Sequence, residues 1–254
     1  MLDTSNNLFL AFYDEPNYSF FMNKDHPIIL IEGSYNYFQS GQPYSQEEFK
    51  FGQIPEQQIY FLHSEILSRI ETGEFLKILV RCELNTNLFP QMVRVEKSLG
   101  PHYSVETTRI DTHQHQLHYI FKNPEGEQTF TKTANAKQYL TSPSFASSCF
   151  FTLTKKFETT GRTAVNLVGS DTDWSYSGPP QESMVYCEIQ NRETTTFTHH
   201  NSVYPATRVT IYESDLSQTS ENPIDIILSK HFAIPYFMEH GTQRIEIKNL
   251  KKHY

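Results

Sequence analysis

The residues best suited to do chemistry lie in residues 110–121, IDTHQHQLHYIF. Asp111, His113 and His115 alternate, as ligands on one face of a strand would, and share parity with Leu117, Tyr119 and Phe121. Two imidazoles and a carboxylate suit Zn²⁺ or Fe²⁺. Spacing supplies no third imidazole or thiolate, so the plainer reading of DTHQHQ, a polar hairpin tip in water, is preferred. No metal and no other cofactor is expected. A second stretch, VGSDTDWSYSGPP (168–180), holds the only tryptophan, Trp174. Asp171 or Asp173 could act there as a base at a pocket mouth. The competing reading is a loop in which Trp174 caps the core and the aspartates make local turns. In TSPSFASSCFFTLTKKF (141–157), Ser144, Ser147 and Ser148 precede Cys149. A nucleophile needs a base and an oxyanion hole, and this stretch has neither a GxSxG elbow nor a local histidine. THHN (198–201) and MEHG (238–241) are isolated histidine sites, and His240 is kept as a weak acid–base candidate.

Composition narrows what such residues could serve. The chain has 254 residues, with 19 Phe, 15 Tyr and only 10 Gly. Many rings with few glycines mean a packed body, and the length suits one large β domain. A single domain over 1–254 is expected, with 55–254 an antiparallel β body and 1–50 either a looser N-terminal lobe or the first strands of the same sheet. The 21 basic residues face 29 acidic ones, a formal charge of −8. That balance lacks the attraction to phosphate backbones used by nucleic-acid binders, and it disfavours broad docking on anionic membranes. No run approaches 18 apolar residues, so no integral membrane segment is expected. The first residues, MLDTSNNLFLAFYDEPN, lack a basic region and carry acids early, unlike a signal peptide. A cytoplasmic location follows as the expectation. Cys82, Cys149 and Cys187 are odd in number and sit in apolar or alternating runs. They read as buried free thiols.

Period-two alternation dominates the chain and calls for strands that position these groups. Val93 and Val95 alternate with Arg94 and Glu96, Val209 and Ile211 with Arg208 and Thr210, and Ile245 and Ile247 with Arg244 and Glu246. Turn signals punctuate them. KNPEGEQ (122–128) divides 117–121 from 129–133, ETTGRT (158–163) divides 150–157 from 164–168, and YSGPPQE (176–182) precedes 184–189. Residues 55–84 fit a helix through Ile59, Leu62, Ile66 and Ile70, and equally a strand pair turning at Thr72-Gly73. The all-β surroundings tip this reading towards strands. The fold class is therefore mainly β: one long antiparallel meander forming a curled sheet, half-barrel or barrel, with few short helices.

In the last third, the strand YPATRVTIYESD precedes a final meander, DIILSKHFAIPYFMEHGTQRIEIKNL, in which Pro235 marks a bend or an edge. This layout, from about residue 60 to 250, resembles the LolA-like and calycin-like bacterial families, especially lipoprotein-carrier-like domains of unknown function. The resemblance implies a half-barrel or barrel holding a lipid or another apolar ligand. The corresponding expectation is a cytosolic binding protein for an apolar or amphipathic small molecule. Its cavity would be lined by i, i+2 pairs: Tyr119 and Phe121, Phe151 and Leu153, Trp174 and Tyr176. Two alternatives stand beside it: an enzyme working on a hydrophobic substrate by His/Asp acid–base chemistry, and a structural or partner-binding module. A homodimer is compatible with each. On the cysteine reading, titration of the denatured chain without reductant is expected to find three thiols. Finding one would mean a disulfide.

Overall fold

A computed structural model describes residues 26–70, 72–135, 138–154, 162–169, 178–213 and 223–253. The alternating pattern becomes fifteen strands in one sheet. The first eight are β1 (Ile28–Gln39), β2 (Gln42–Ile54), β3 (Ile59–Arg69), β4 (Phe75–Leu84), β5 (Pro90–Leu99), β6 (His102–Asp111), β7 (Gln116–Asn123) and β8 (Gly126–Thr133). After them come β9 (Gln138–Thr141), β10 (Thr163–Gly169), β11 (Gln181–His199), β12 (Ser202–Glu213), β13 (Ile224–Ser229), β14 (Pro235–His240) and β15 (Gln243–Lys252). Two meanders run outwards from the centre, β1 to β8 and β15 back to β9. They are joined by antiparallel pairing of β1 with β15. The final meander thus stitches the two halves together at mid-sheet, with β1 and β2 among the central strands. Pro235 is the first residue of β14, beside a register shift in β13, so it marks a bend in an interior strand. Every neighbouring pair is antiparallel except β9 with β10.

Connectivity forces this sheet to curl. Its two edge strands are β8 and β9. The end of β8 at Thr133 and the start of β9 at Gln138 are five residues apart, a span of at most ~18 Å. Fifteen strands laid flat at ~4.8 Å spacing would put the edges ~67 Å apart. The sheet must bend until its ends nearly meet. Lys132 of β8 forms an ion pair with Glu182 of β11, and Gly178, before β11, lies against the ring of Tyr119 on β7. No ladder joins β8 to β9, so the sheet is barrel-like without being a closed barrel.

A buried, mainly apolar cluster lines the inner face. Phe49 and Phe51 of β2, Leu62 and Ile66 of β3, Val80 and Cys82 of β4, and Leu117, Tyr119 and Phe121 of β7 all belong to one buried cluster. Across this face passes the segment after β9, and here one expected strand is overturned. Residues 150–157 are expected from the sequence to be extended; of these, 150–154 are described. Instead a 3-10 turn, Phe145–Ser147, leads into a short helix, α1 (Phe151–Thr154). Hydroxyls explain the change: Ser147, Ser148 and Thr152 each donate to the carbonyl three residues earlier, which favours helical turns over a ladder. Phe151 and Leu153 are therefore not an i, i+2 pair on a strand. The ambiguous 55–84 region is a strand pair, β3 and β4, and its PEQQ start makes only a 3-10 turn, Pro55–Gln57.

Close approach of strands leaves no room for a side chain at Gly52 of β2. A Cβ there would run into the carbonyl oxygen of Ile28 and stand 2.8 Å from the Phe61 ring. Gly52→Ala is expected to lower unfolding free energy by ~1–3 kcal/mol in urea titration, and Gly52→Val by more.

Candidate functional site

Buried ionisable groups on the inner face are the first place to look for chemistry. Glu47 shares parity with Phe49 and Phe51, so β2 carries its carboxylate inwards, where it is wholly buried. Its Oε2 accepts from the Tyr37 hydroxyl and from the backbone N–H of Phe145 at 3.0 Å. Its Oε1 accepts from Ser64 at 2.6 Å, from Ser144, and from the N–H of Ala146 at 3.5 Å. Burial pushes the carboxyl above its ordinary range, and the hydroxyl and amide donors pull part of the way back. A carboxylate so fully engaged pins the crossing segment to the sheet and leaves no lone pair facing a substrate. Farther round the same face, Lys97 of β5 and Glu106 of β6 form a buried ion pair at 3.1 Å, and Tyr119 donates to Glu106 at 2.9 Å. Burial pushes the thiols of Cys149 and Cys82 up to about 12, so neither is an activated nucleophile. All three cysteines are buried and none is in a disulfide.

Open space lies instead on the outer face. A groove of about 740 Å³ has its floor on β1–β4 and its far wall on the turn between β11 and β12. Register builds the floor. Lys50 of β2 stands opposite Glu32 of β1 and His63 of β3, and His63 stands opposite Arg81 of β4, a row of outward side chains crossing four strands. Glu48, Glu65 and Leu79 form the neighbouring row. The wall depends on a change of register in β11 between Gln190 and Thr195. Beyond it, Phe197 stacks on Tyr236 of β14 at 5.1 Å. The His199 ring nitrogen lies 3.1 Å from the carbonyl oxygen of Lys248 on β15. His200 and Asn201 then turn the chain with φ of 46° and 66°, which suits a two-residue hairpin loop. Tyr204 and His200 thereby border the groove, with Leu250 and Lys251 of β15 beside them. Desolvation, then the charges of Arg81 and Lys50, lower the His63 pKa to about 4, so its ring is neutral at neutral pH.

A second groove, of about 700 Å³, runs over β4–β8 and includes Glu83, Arg109, Asp111, His113 and His118. Asp111 accepts the N–H groups of His113 and Gln114, so its carboxylate serves the turn after β6. His113 and His115 are exposed on that hairpin tip, and His115 has a left-handed φ of 52°. Among the described residues no three His, Cys, Asp or Glu side chains are grouped to hold a metal. Tyr119, Phe121 and Phe151 are each 3% exposed in the core, and Leu153 packs against them from a partly buried position. His240 ends β14 before the Gly241 turn, away from other candidates in the chain's register. Asp171, Asp173, Trp174 and Tyr176 lie outside the described residues. Glu47, Lys97 and Glu106 were not singled out from the sequence, although strand parity with Phe49, Val95 and Thr108 would have turned them inwards.

Curled sheet, buried inner cluster and outer groove together define a β-barrel-like domain. The chain is similar in fold to a β-barrel-like protein of the domain of unknown function DUF1849 from Brucella abortus. That likeness has a TM-score of 0.56 at 10% identity, and covers 89% of this chain and 99% of that one. A DUF1089 family protein from Pseudomonas aeruginosa matches with a TM-score of 0.48 at 8% identity, over 78% of this chain and 89% of that one. No protein-family model matches the chain, and no curated protein matches it significantly. Identities this low speak to the fold alone. Among the described residues no helix is long and apolar enough to cross a membrane.

Glu47→Ala would strand several buried donors at once. It is expected to cost ~3–5 kcal/mol in chemical denaturation, and Glu47→Gln less. Because the folded-state pKa of Glu47 lies above its ordinary 4.5, the native state holds this proton more tightly than the unfolded chain. The associated stability is present below about pH 4.5 and is lost as pH rises through the raised value. The stability difference between wild type and Glu47→Gln should therefore grow as pH falls from 7 towards 4.5.

Proposed function

We propose that this protein binds an amphipathic small molecule in the groove between β1–β4 and the β11–β12 turn. One observation carries the reading: the groove, at about 740 Å³, sets apolar Leu79, Leu250 and Tyr204 among a lining that is otherwise mostly polar and charged. That volume is in the range of sites for drug-sized ligands, and the polar share of the lining suits the polar end of an amphipathic one. An acid–base enzyme has less support, because the buried carboxylates Glu47 and Glu106 are committed to hydrogen bonds and an ion pair inside the fold. The carrier role implied by the LolA-like and calycin-like resemblance fits this proposal with the ligand on the outer face, and Tyr119, Phe121 and Phe151 are buried in the core.

An environment-sensitive apolar dye should bind the native protein saturably, with Kd about micromolar or tighter. Leu79→Trp, which places a larger ring on the groove floor, should weaken binding at least ~10-fold. Phe121→Leu, on the inner face, should leave Kd unchanged once folding is confirmed. Saturable binding insensitive to Leu79→Trp would move the site elsewhere, and absence of saturable binding would end the proposal.

A further inference from the structure

Resting on that reading, we infer that the groove selects ligands with a negatively charged headgroup, a carboxylate or phosphate, held over Lys50, His63 and Arg81. Cross-strand register carries the inference. Lys50, His63 and Arg81 are directly opposed on successive strands, so neighbouring side chains leave their backbones only ~5 Å apart. Continuing the row, Arg81 stands opposite Arg94. Arg81 and Arg94 are like charges directly opposed and repel, while Lys50 faces neutral His63 on one side and Glu32 on the other. The chain as a whole is acidic, at −8, which makes a cationic row on one face a local departure from its own composition.

The neighbouring acids only partly neutralise this row. Glu65 is held by Lys77 at 3.0 Å, and Glu32 by Lys251 at 3.0 Å. Glu96 lies 2.9 Å from Arg94 but 3.9 Å from Arg81, so Arg81 has the weaker share. Among the described residues no carboxylate lies within ion-pairing distance of Lys50. Glu48 is the remaining acid on the lining, two residues from Lys50 on the same strand. Arg81 offers a planar fork of donors and Lys50 a mobile point charge, a combination suited to carboxylate or phosphate oxygens. His200 and Ser202 at the wall add further polar groups. Leu79 and Leu250 offer a surface to an alkyl or aryl tail.

Four twelve-carbon probes kept below their critical micelle concentrations separate headgroup from tail: laurate, dodecyl phosphate, 1-dodecanol and dodecyltrimethylammonium. Laurate and dodecyl phosphate should bind at least ~10-fold tighter than dodecanol, the cationic probe should bind weakest, and the anionic advantage should shrink as salt rises. The Lys50→Ala/Arg81→Ala double variant, checked for an unchanged melting curve, should lose ~10–100-fold affinity for both anions and little for dodecanol. Equal binding of anion and alcohol, or a double variant that keeps its anion affinity, would overturn the headgroup assignment while leaving the groove in place. Failure of all four probes would overturn both. Inorganic phosphate is run alongside: saturation as tight as that of dodecyl phosphate would overturn the amphipathic assignment, and much weaker binding supports it.

Discussion

Glu47 and the segment it holds are the constraint on which the rest of the fold depends. A sheet curled this far leaves an apolar concavity, and chain must fill it. The filling segment follows β9 and carries backbone amides that no ladder satisfies. Buried amides without partners are costly, and a single carboxylate on β2 takes those of Phe145 and Ala146 together with the Ser144 hydroxyl. Rings then pack around that anchor: Phe145 meets Tyr35 edge-on at 5.0 Å, and Phe150 lies 5.9 Å from Phe51. A buried acid is a poor source of net stability, but it is directional, and so it sets where the crossing segment sits.

With an apolar cluster buried on the inner face, the larger of the two described grooves lies on the outer one. Alternation places every second side chain on the outer face, where register decides which of them become neighbours. There, pairing of β1 to β4 aligns Glu32, Lys50, His63 and Arg81, and the β11–β12 turn walls one end of the row. The change of register inside β11 is what brings the turn there. Irregularities of this kind bend a strand and re-aim its end, and in this fold the re-aimed end borders the larger groove. Similarity to the Brucella abortus β-barrel-like protein extends over nearly all of that chain, so the curled scaffold is common to both at an identity too low to carry side-chain roles across.

What the sequence by itself determined was the local grammar. Alternation in 90–99, 202–213 and 243–252 required strands, because period two is the only pattern that buries Val93 and Val95, or Ile245 and Ile247, on one side. The polar tip at 112–115 and the turn at Gly241 were legible for the same local reason. Inward Glu47 was legible in principle, since parity with Phe49 and Phe51 is a property of the chain, yet an acid among turn-like residues suggests exposure until its donors are known. Those donors come from residues 144–146, nearly a hundred positions away. Tertiary structure alone decided that the first and last described strands pair and that Lys50, His63 and Arg81 line up beside His200. Each of these depends on strand register and on the meeting of distant segments. Both are set by packing energies summed over the whole sheet, which no single stretch of sequence encodes.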